Sequence, residues 1–295
     1  MTTPEFTANR ENFCYRHPDR QSFVLCQRCL RTICPECQTQ GPVGVICPEC
    51  LKAQRKAETP AQRRARRQWG MSSAADGKPI VTYAIMAVTS LVSLIAMIPG
   101  IGRQITNALL FSGVYLYPSI SPYPFEPWRL LTATLVHGGF IHLALNMLAL
   151  WMIGRSLEPM LGRWRYLTLY LISGLGGSVA VACLDPTQAT VGASGAIFGL
   201  MAALLIVGRH LGANVTGILV ILVINFAYGF FVTGIAWQAH LGGMLVGALI
   251  AFIYTRTKRP KQRGLQIALL SAVVVALLVI VAFVPPALLL AGVYG

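Results

Sequence analysis

Residues 189–208 read ATVGASGAIFGLMAALLIVG, twenty residues without a charged side chain, closed by Arg209. About twenty apolar residues in helical form cross the hydrocarbon core of a bilayer. Small residues around Ser194 distinguish this window from a plain span. Outward from it, six more apolar windows of similar length centre near Ser90, Asn146, Ser173, Leu222, Leu245 and Leu277. The fold class expected is therefore an all-α polytopic membrane protein. Six spans form one block over residues 80–254. The seventh, residues 267–290, follows a basic hinge and carries Pro285-Pro286 near its end.

Composition agrees with this reading. Of the 295 residues 55% are hydrophobic and 12% charged, with mean hydropathy +0.61, against about 25% charged in soluble chains. Charge is dense up to Lys78, and from Pro79 onward the acidic residues are Glu126, Glu158 and Asp185. A single soluble enzyme is excluded.

Lysine and arginine mark the cytoplasmic exits. Lys52, Arg55, Lys56, Arg63, Arg64, Arg66, Arg67 and Lys78 precede the first span. Arg155, Arg163 and Arg165 lie between the second and third, Arg209 follows the fourth, and Arg256, Lys258, Arg259, Lys261 and Arg263 follow the sixth. This pattern puts the N-terminus in the cytoplasm and the C-terminus outside. It accounts for the net charge of +14 through membrane exits and a basic stretch against anionic lipid head groups, with no nucleic-acid partner. Residues 1–31 lack the apolar run of a secretory signal, so the N-terminal part is expected to stay cytoplasmic. A bacterial plasma membrane fits.

That N-terminal part carries Cys14-x-x-His17, Cys26-x-x-Cys29, Cys34-x-x-Cys37 and Cys47-x-x-Cys50. Eight soft ligands in four chelating pairs suit two tetrahedral zinc ions, and a reducing cytoplasm disfavours disulfides. A domain of about 40 residues has too little core to fold unaided, so metal would supply folding free energy. The short step from Cys29 to Cys34 favours a crossed arrangement, pairs one and three on one ion, two and four on the other. In ligand order, residues 12–51 resemble a B-box-type or related cross-brace zinc finger. Both ions are structural, with none in catalysis, and the head is a candidate binder of a cytoplasmic protein. The eighth cysteine, Cys183, reads as a small packed residue.

Polar groups inside spans are costly and mark candidate sites. His142 and Asn146 share one helical face, four residues apart. Ser194 opens the fourth span and His240 lies near the start of the sixth. All four fall in the outer halves of even-numbered spans, so they can meet at one depth. Gly195-x-x-x-Gly199 and Gly243-x-x-x-Gly247 would let the fourth and sixth backbones approach closely. His240 can take the proton of Ser194. Nothing acidic follows Asp185, so the expectation is a Ser-His dyad, with the Ser194 N–H, His142 and Asn146 as oxyanion donors.

These residues carry a family resemblance. Glu126-Pro127-Trp128-Arg129, His137 with His142-x-x-x-Asn146, Gly192-Ala193-Ser194-Gly195 and Ala239-His240-x-x-Gly243-x-x-x-Gly247 resemble a rhomboid intramembrane serine protease over residues 80–254. The resemblance implies a six-helix bundle with Ser194 as nucleophile, His240 as base, His142 and Asn146 at the oxyanion hole, and Gly192 and Gly243 as supporting positions. It also implies that Phe198, where tyrosine also occurs in the family, stacks on the base. The aromatic loop of residues 99–128 is expected to embed beside the bundle, with Arg129 paired locally. The domains expected are a zinc-binding domain over 12–51, a basic linker over 52–78, the six-span catalytic domain over 79–256, and an added span over 265–291. The function expected is an endopeptidase acting on transmembrane substrates near the outer face. The rivals are a catalytically silent binder of transmembrane clients that recruits a partner through its zinc head, and a transporter.

Overall fold

The computed structural model describes residues 10–40, 44–57, 78–119, 121–232 and 234–290. They form two compact units, Met1–Gly77 and Lys78–Gly295. In the first, β1 (Thr39–Gln40) pairs antiparallel with β2 (Val45–Ile46), and α1 runs over Pro48–Ala57. The unit is centred on fully buried Ile33 with buried cysteines around it. Helix α1 continues beyond residue 51, where the sequence suggested a linker. Its residues Leu51-Lys52-Ala53-Gln54 are strong helix formers that prolong the turn begun at Pro48. Arg63, Arg64, Arg66 and Arg67 lie outside the described residues.

The second unit contains α2 (Ile80–Ala96), α3 (Gly102–Leu109), α4 (Arg129–Thr132), α5 (Phe140–Leu161), α6 (Arg163–Leu184), α7 (Ser194–His210), α8 (Thr216–Phe231), α9 (Trp237–Arg256) and α10 (Arg263–Leu290). All seven expected spans are helices. Of these α5, α6, α9 and α10 are long and apolar enough to cross a membrane, whereas α2, α7 and α8 have 17, 17 and 16 residues. At 1.5 Å per residue, seventeen residues cover about 26 Å, short of a hydrocarbon core of about 30 Å. Helix α7 begins late because residues before Ser194 are a loop that includes Gly192 at φ +117°. Its first residue, Ser194, is half-buried.

Helix α7 is the central element, buried almost throughout from Gly195 to Leu204. Glycine faces allow its close contacts. A Cβ on Gly243 of α9 would lie 1.9 Å from the Gly195 carbonyl, and one on Gly247 would lie 2.3 Å from Gly199 Cα. These contacts fix α7 and α9 in parallel register. Helix α6 runs antiparallel to both, with Gly177 against Ala239 and Ser173 against Gly199. The N-terminal ends of α7 and α9 therefore lie at one end of the bundle, and His142, in the first turn of α5, comes against Gly192 there.

Glu158, in the last turn of α5, is 2% exposed. Its carboxylate accepts from the Val81 N–H (3.0 Å), the Thr82 N–H (2.8 Å) and the Thr82 hydroxyl (2.7 Å). Those amides belong to the first turn of α2, where helical N–H groups have no intrahelical partner. A carboxylate there satisfies them and complements the helix dipole.

Candidate active site

Ser194 is the first residue of α7 and His240 the fourth of α9. The Gly195–Gly243 contact sets their heights, and Ser194 Oγ lies 2.9 Å from His240 Nε2. Phe198, one turn along α7, stacks on the His240 ring with centroids 4.2 Å apart and planes 14° apart. His240 Nδ1 is buried and has no hydrogen-bond partner among the described residues. The arrangement can pass a proton from Oγ to Nε2, with the ring held by stacking rather than by an acid.

His142 approaches the same point from α5. A Cβ on Gly192 would lie 2.9 Å from His142 Cε1 and 3.0 Å from its Nε2, so glycine is required there by space as well as by backbone angle. The Gly138 N–H points at His142 Nδ1 from 3.4 Å. That makes Nδ1 the acceptor and leaves the proton of the neutral ring on Nε2, facing the Gly192–Ser194 loop. Asn146 is buried, and its Nδ2 donates to the His142 carbonyl at 2.9 Å, while Oδ1 has no partner among the described residues. One of the two amide N–H bonds is thus engaged along its own helix and the other remains for a ligand. The structure brings Ser194, His240, His142, Gly192, Phe198 and Gly243 together, and Asn146 lies one turn along α5 from His142.

His137 has a structural task that sequence reasoning left unassigned. It is 3% exposed. The Ala193 N–H donates to its Nε2 (3.4 Å), which puts the ring proton on Nδ1, 2.9 Å from Ser93 Oγ, and that hydroxyl donates to the Leu135 carbonyl. This chain holds the backbone immediately before Ser194. Its signal was a second histidine five residues before His142, inside the quoted motif.

The aromatic loop is partly packed into the bundle. Phe111, Leu116 and Tyr117 are buried, whereas Tyr123, Phe125 and Trp128 are exposed. Arg129 pairs with Glu126, donates to the Asn107 and Leu110 carbonyls (2.5 and 2.8 Å) and lies over the Tyr115 ring. Cys183 is half-buried against the cluster containing Phe111 and Val181.

In the first unit, Cys14, His17, Cys34 and Cys37 form one group and Cys26, Cys29, Cys47 and Cys50 another, with ligand atoms in each within 4.8 Å of one another. Both groups could hold a metal ion. Ligands 2.0–2.3 Å from a tetrahedral ion are separated by about 3.5–3.8 Å. His17 Nδ1 lies 3.3, 3.4 and 3.8 Å from the sulfurs of Cys34, Cys37 and Cys14, and the sulfurs of Cys29 and Cys47 are 3.7 Å apart. Burial by itself raises the Cys14 thiol, but backbone hydrogen bonds at Cys34, Arg16 and His17 outweigh it and bring the pKa to about 6. Cys26 is lowered in the same way to about 6, with bonds at Cys29, Cys47 and Arg28. Burial and neighbouring sulfurs push Cys37 and Cys50 up to about 12. A dication held by such a set must displace the remaining protons.

With this geometry in hand, comparison with known proteins is informative. Residues 124–257 match the Rhomboid domain family model. The Putative rhomboid protease YdcA of Bacillus subtilis (strain 168) is 35% identical over 139 residues, 45% of this chain and 70% of that protein. The chain belongs to the rhomboid family. The Rhomboid protease GluP of the same organism is 38% identical over 213 residues, 70% of this chain and 40% of that protein. RHOMBOID-like protein 5 of Arabidopsis thaliana is 43% identical over 139 residues, 43% of this chain and 44% of that protein. This rhomboid chain thus spans less than half the length of these two relatives. It is a multi-pass membrane protein of a family whose members include named rhomboid proteases.

Proposed function

We propose that this rhomboid is a serine endopeptidase that cleaves transmembrane protein substrates near the outer membrane face through a Ser194–His240 dyad. The observation that carries the reading is the 2.9 Å separation of Ser194 Oγ and His240 Nε2, at the start of a short helix. In the reaction, Ser194 Oγ bonds to the scissile carbonyl carbon as its proton passes to His240 Nε2. The resulting oxyanion is held by the Ser194 N–H, His142 Nε2–H and the second Asn146 N–H. Collapse breaks the C–N bond, and His240 gives its proton to the leaving amine. Water activated by His240 then releases the acyl group. The scissile segment must leave helical form before attack, which favours glycine, proline or small residues near the substrate's outer boundary.

The charge pattern supports a cytoplasmic N-terminus, an outer C-terminus and a bacterial plasma membrane, with lipids as constant neighbours. The two Cys/His groups suit two structural zinc ions. They would hold the head folded and able to bind a cytoplasmic protein, with no part in the bond cleavage. The domain limits proposed are those the sequence suggests, zinc head 12–51, linker 52–78, catalytic bundle 79–256 and added span 265–291.

The test is cleavage of a model transmembrane substrate in proteoliposomes by the native chain, Ser194→Ala and His240→Ala, with fluorophosphonate labelling in parallel. Cleavage and labelling that vanish in Ser194→Ala support the proposal. A native chain that binds substrates, cleaves none and takes no label refutes it in favour of a silent client binder. Substrate flux surviving Ser194→Ala would point to transport.

A further inference from the structure

Pro285 and Pro286 lie inside α10. A proline lacks the N–H that bonds the carbonyl four residues back, and its ring crowds that carbonyl. For Pro285 the carbonyl left open is that of Val281, about 27 Å along α10 from Arg263. An unbonded carbonyl at membrane depth is costly. Tyr117 meets this need, since its hydroxyl donates to the Val281 carbonyl at 2.6 Å. Val281 and Pro285 are both buried, and Tyr117, Leu116, Phe111, Leu277 and Val281 pack in one cluster.

The segment that carries Tyr117 also grips the loop before Ser194. The Phe111 N–H donates to the Thr190 carbonyl (3.0 Å), and the Thr190 N–H donates back to the Phe111 carbonyl (2.7 Å). Ser112 Oγ donates to the Pro186 carbonyl at 2.8 Å. Thr190 is four residues from Ser194. One short segment, residues 111–117, is therefore bonded at Tyr117 to the seventh helix and at Phe111 and Ser112 to the loop that places the serine.

We propose that the seventh helix braces the loop of residues 185–193, with Tyr117 as the positioning residue and the carbonyl opened by Pro285 as its anchor. In its effect on reactivity the proposal rests on Ser194 being the nucleophile. In its effect on the loop it does not. Proline at 285 then serves to offer a backbone acceptor to a residue 164 positions away. Alanine at 285 supplies an N–H that returns the Val281 carbonyl to its own helix and makes the tyrosine hydroxyl dispensable.

The experiment compares the native full chain, Tyr117→Phe, Pro285→Ala and the double variant in detergent micelles. Two quantities are read, hydrogen exchange of the peptides containing Phe111 and Thr190, and the rate of fluorophosphonate labelling at Ser194. Tyr117→Phe, which removes one oxygen, should speed exchange and slow labelling by about 3- to 10-fold, the size of one hydrogen bond. In the Pro285→Ala background the same substitution should change either rate by less than about 2-fold, because its acceptor is already bonded. Equal effects of Tyr117→Phe in both backgrounds, or none on exchange in the native background, would overturn the brace. A native chain that takes no label would sink the hydrolase reading alone, and the exchange measurements would still decide the brace.

Discussion

Replacing Glu158 by glutamine tests how the first span is held. The buried carboxylate receives three donors from the start of α2, and its two bonds to Thr82 measure 2.8 and 2.7 Å. Glutamine keeps one oxygen, enough for the Val81 N–H, and turns an NH2 group toward Thr82. Hydrogen bonds to a charged acceptor contribute about 1.5–3 kcal/mol each. The Thr82 hydroxyl can rotate and accept, but its backbone N–H cannot, and it then faces another donor in a site with no water access. A loss of about 3 kcal/mol is expected, which lowers the melting temperature by about 6–12 °C for a unit of this size. Thermal unfolding in detergent, followed by tryptophan fluorescence and by loss of the monodisperse chromatographic peak, measures it. A shift below about 2 °C would refute the argument that this carboxylate holds the first turn of α2.

Three further outcomes follow from the packing. Gly243→Ala places a methyl group where the Gly195 carbonyl already lies. It should separate α7 from α9 and lower fluorophosphonate labelling by about 100-fold or more, since small displacements of reacting groups carry losses of that order. Phe198→Tyr should keep the stack on His240 and the activity. Phe198→Leu should lower kcat by about 3- to 10-fold with little change in KM, the worth of one aromatic contact, checked by steady-state cleavage. Elemental analysis should find two zinc ions per chain. A strong chelator should release them and expose the Cys14–Cys50 thiols to a maleimide while Ser194 labelling in the second unit persists; a chelator-resistant head would contradict metal-supported folding.

Much of the fold could be read from the chain because apolar windows and intramembrane polar residues are local signals. His142, Asn146, Ser194 and His240 stood out as polar groups in otherwise apolar helices, and the glycine spacings of α7 and α9 showed how two of those helices could approach. The four Cys/His steps were legible for the same reason, since each pair is a short chelate. What escaped was long-range bonding to backbone. In the sequence Glu158 is simply one of three acidic residues after Pro79, yet its partners are the amides of Val81 and Thr82. His137 holds the Ala193 amide and Tyr117 the Val281 carbonyl. Backbone groups carry no sequence signature, so such partners cannot be guessed from residue types. The reduced lengths of α2, α7 and α8 were also hidden, because an apolar window does not mark where its helix begins or stops; in α7 the window opens at residue 189 and the helix at Ser194.

The unpartnered Nδ1 of His240 sets the electrical character of the site. A carboxylate at that position would keep a permanent anion deep in the bundle, where desolvation is severe. Without it no fixed anion stands beside the imidazole among the described residues, and in the proposed hydrolysis charge would separate only as the peptide bond is broken. For the proposed hydrolysis this spares the bundle the cost of a buried ion. Such a centre suits a catalyst that shares an apolar, two-dimensional surrounding with its substrates.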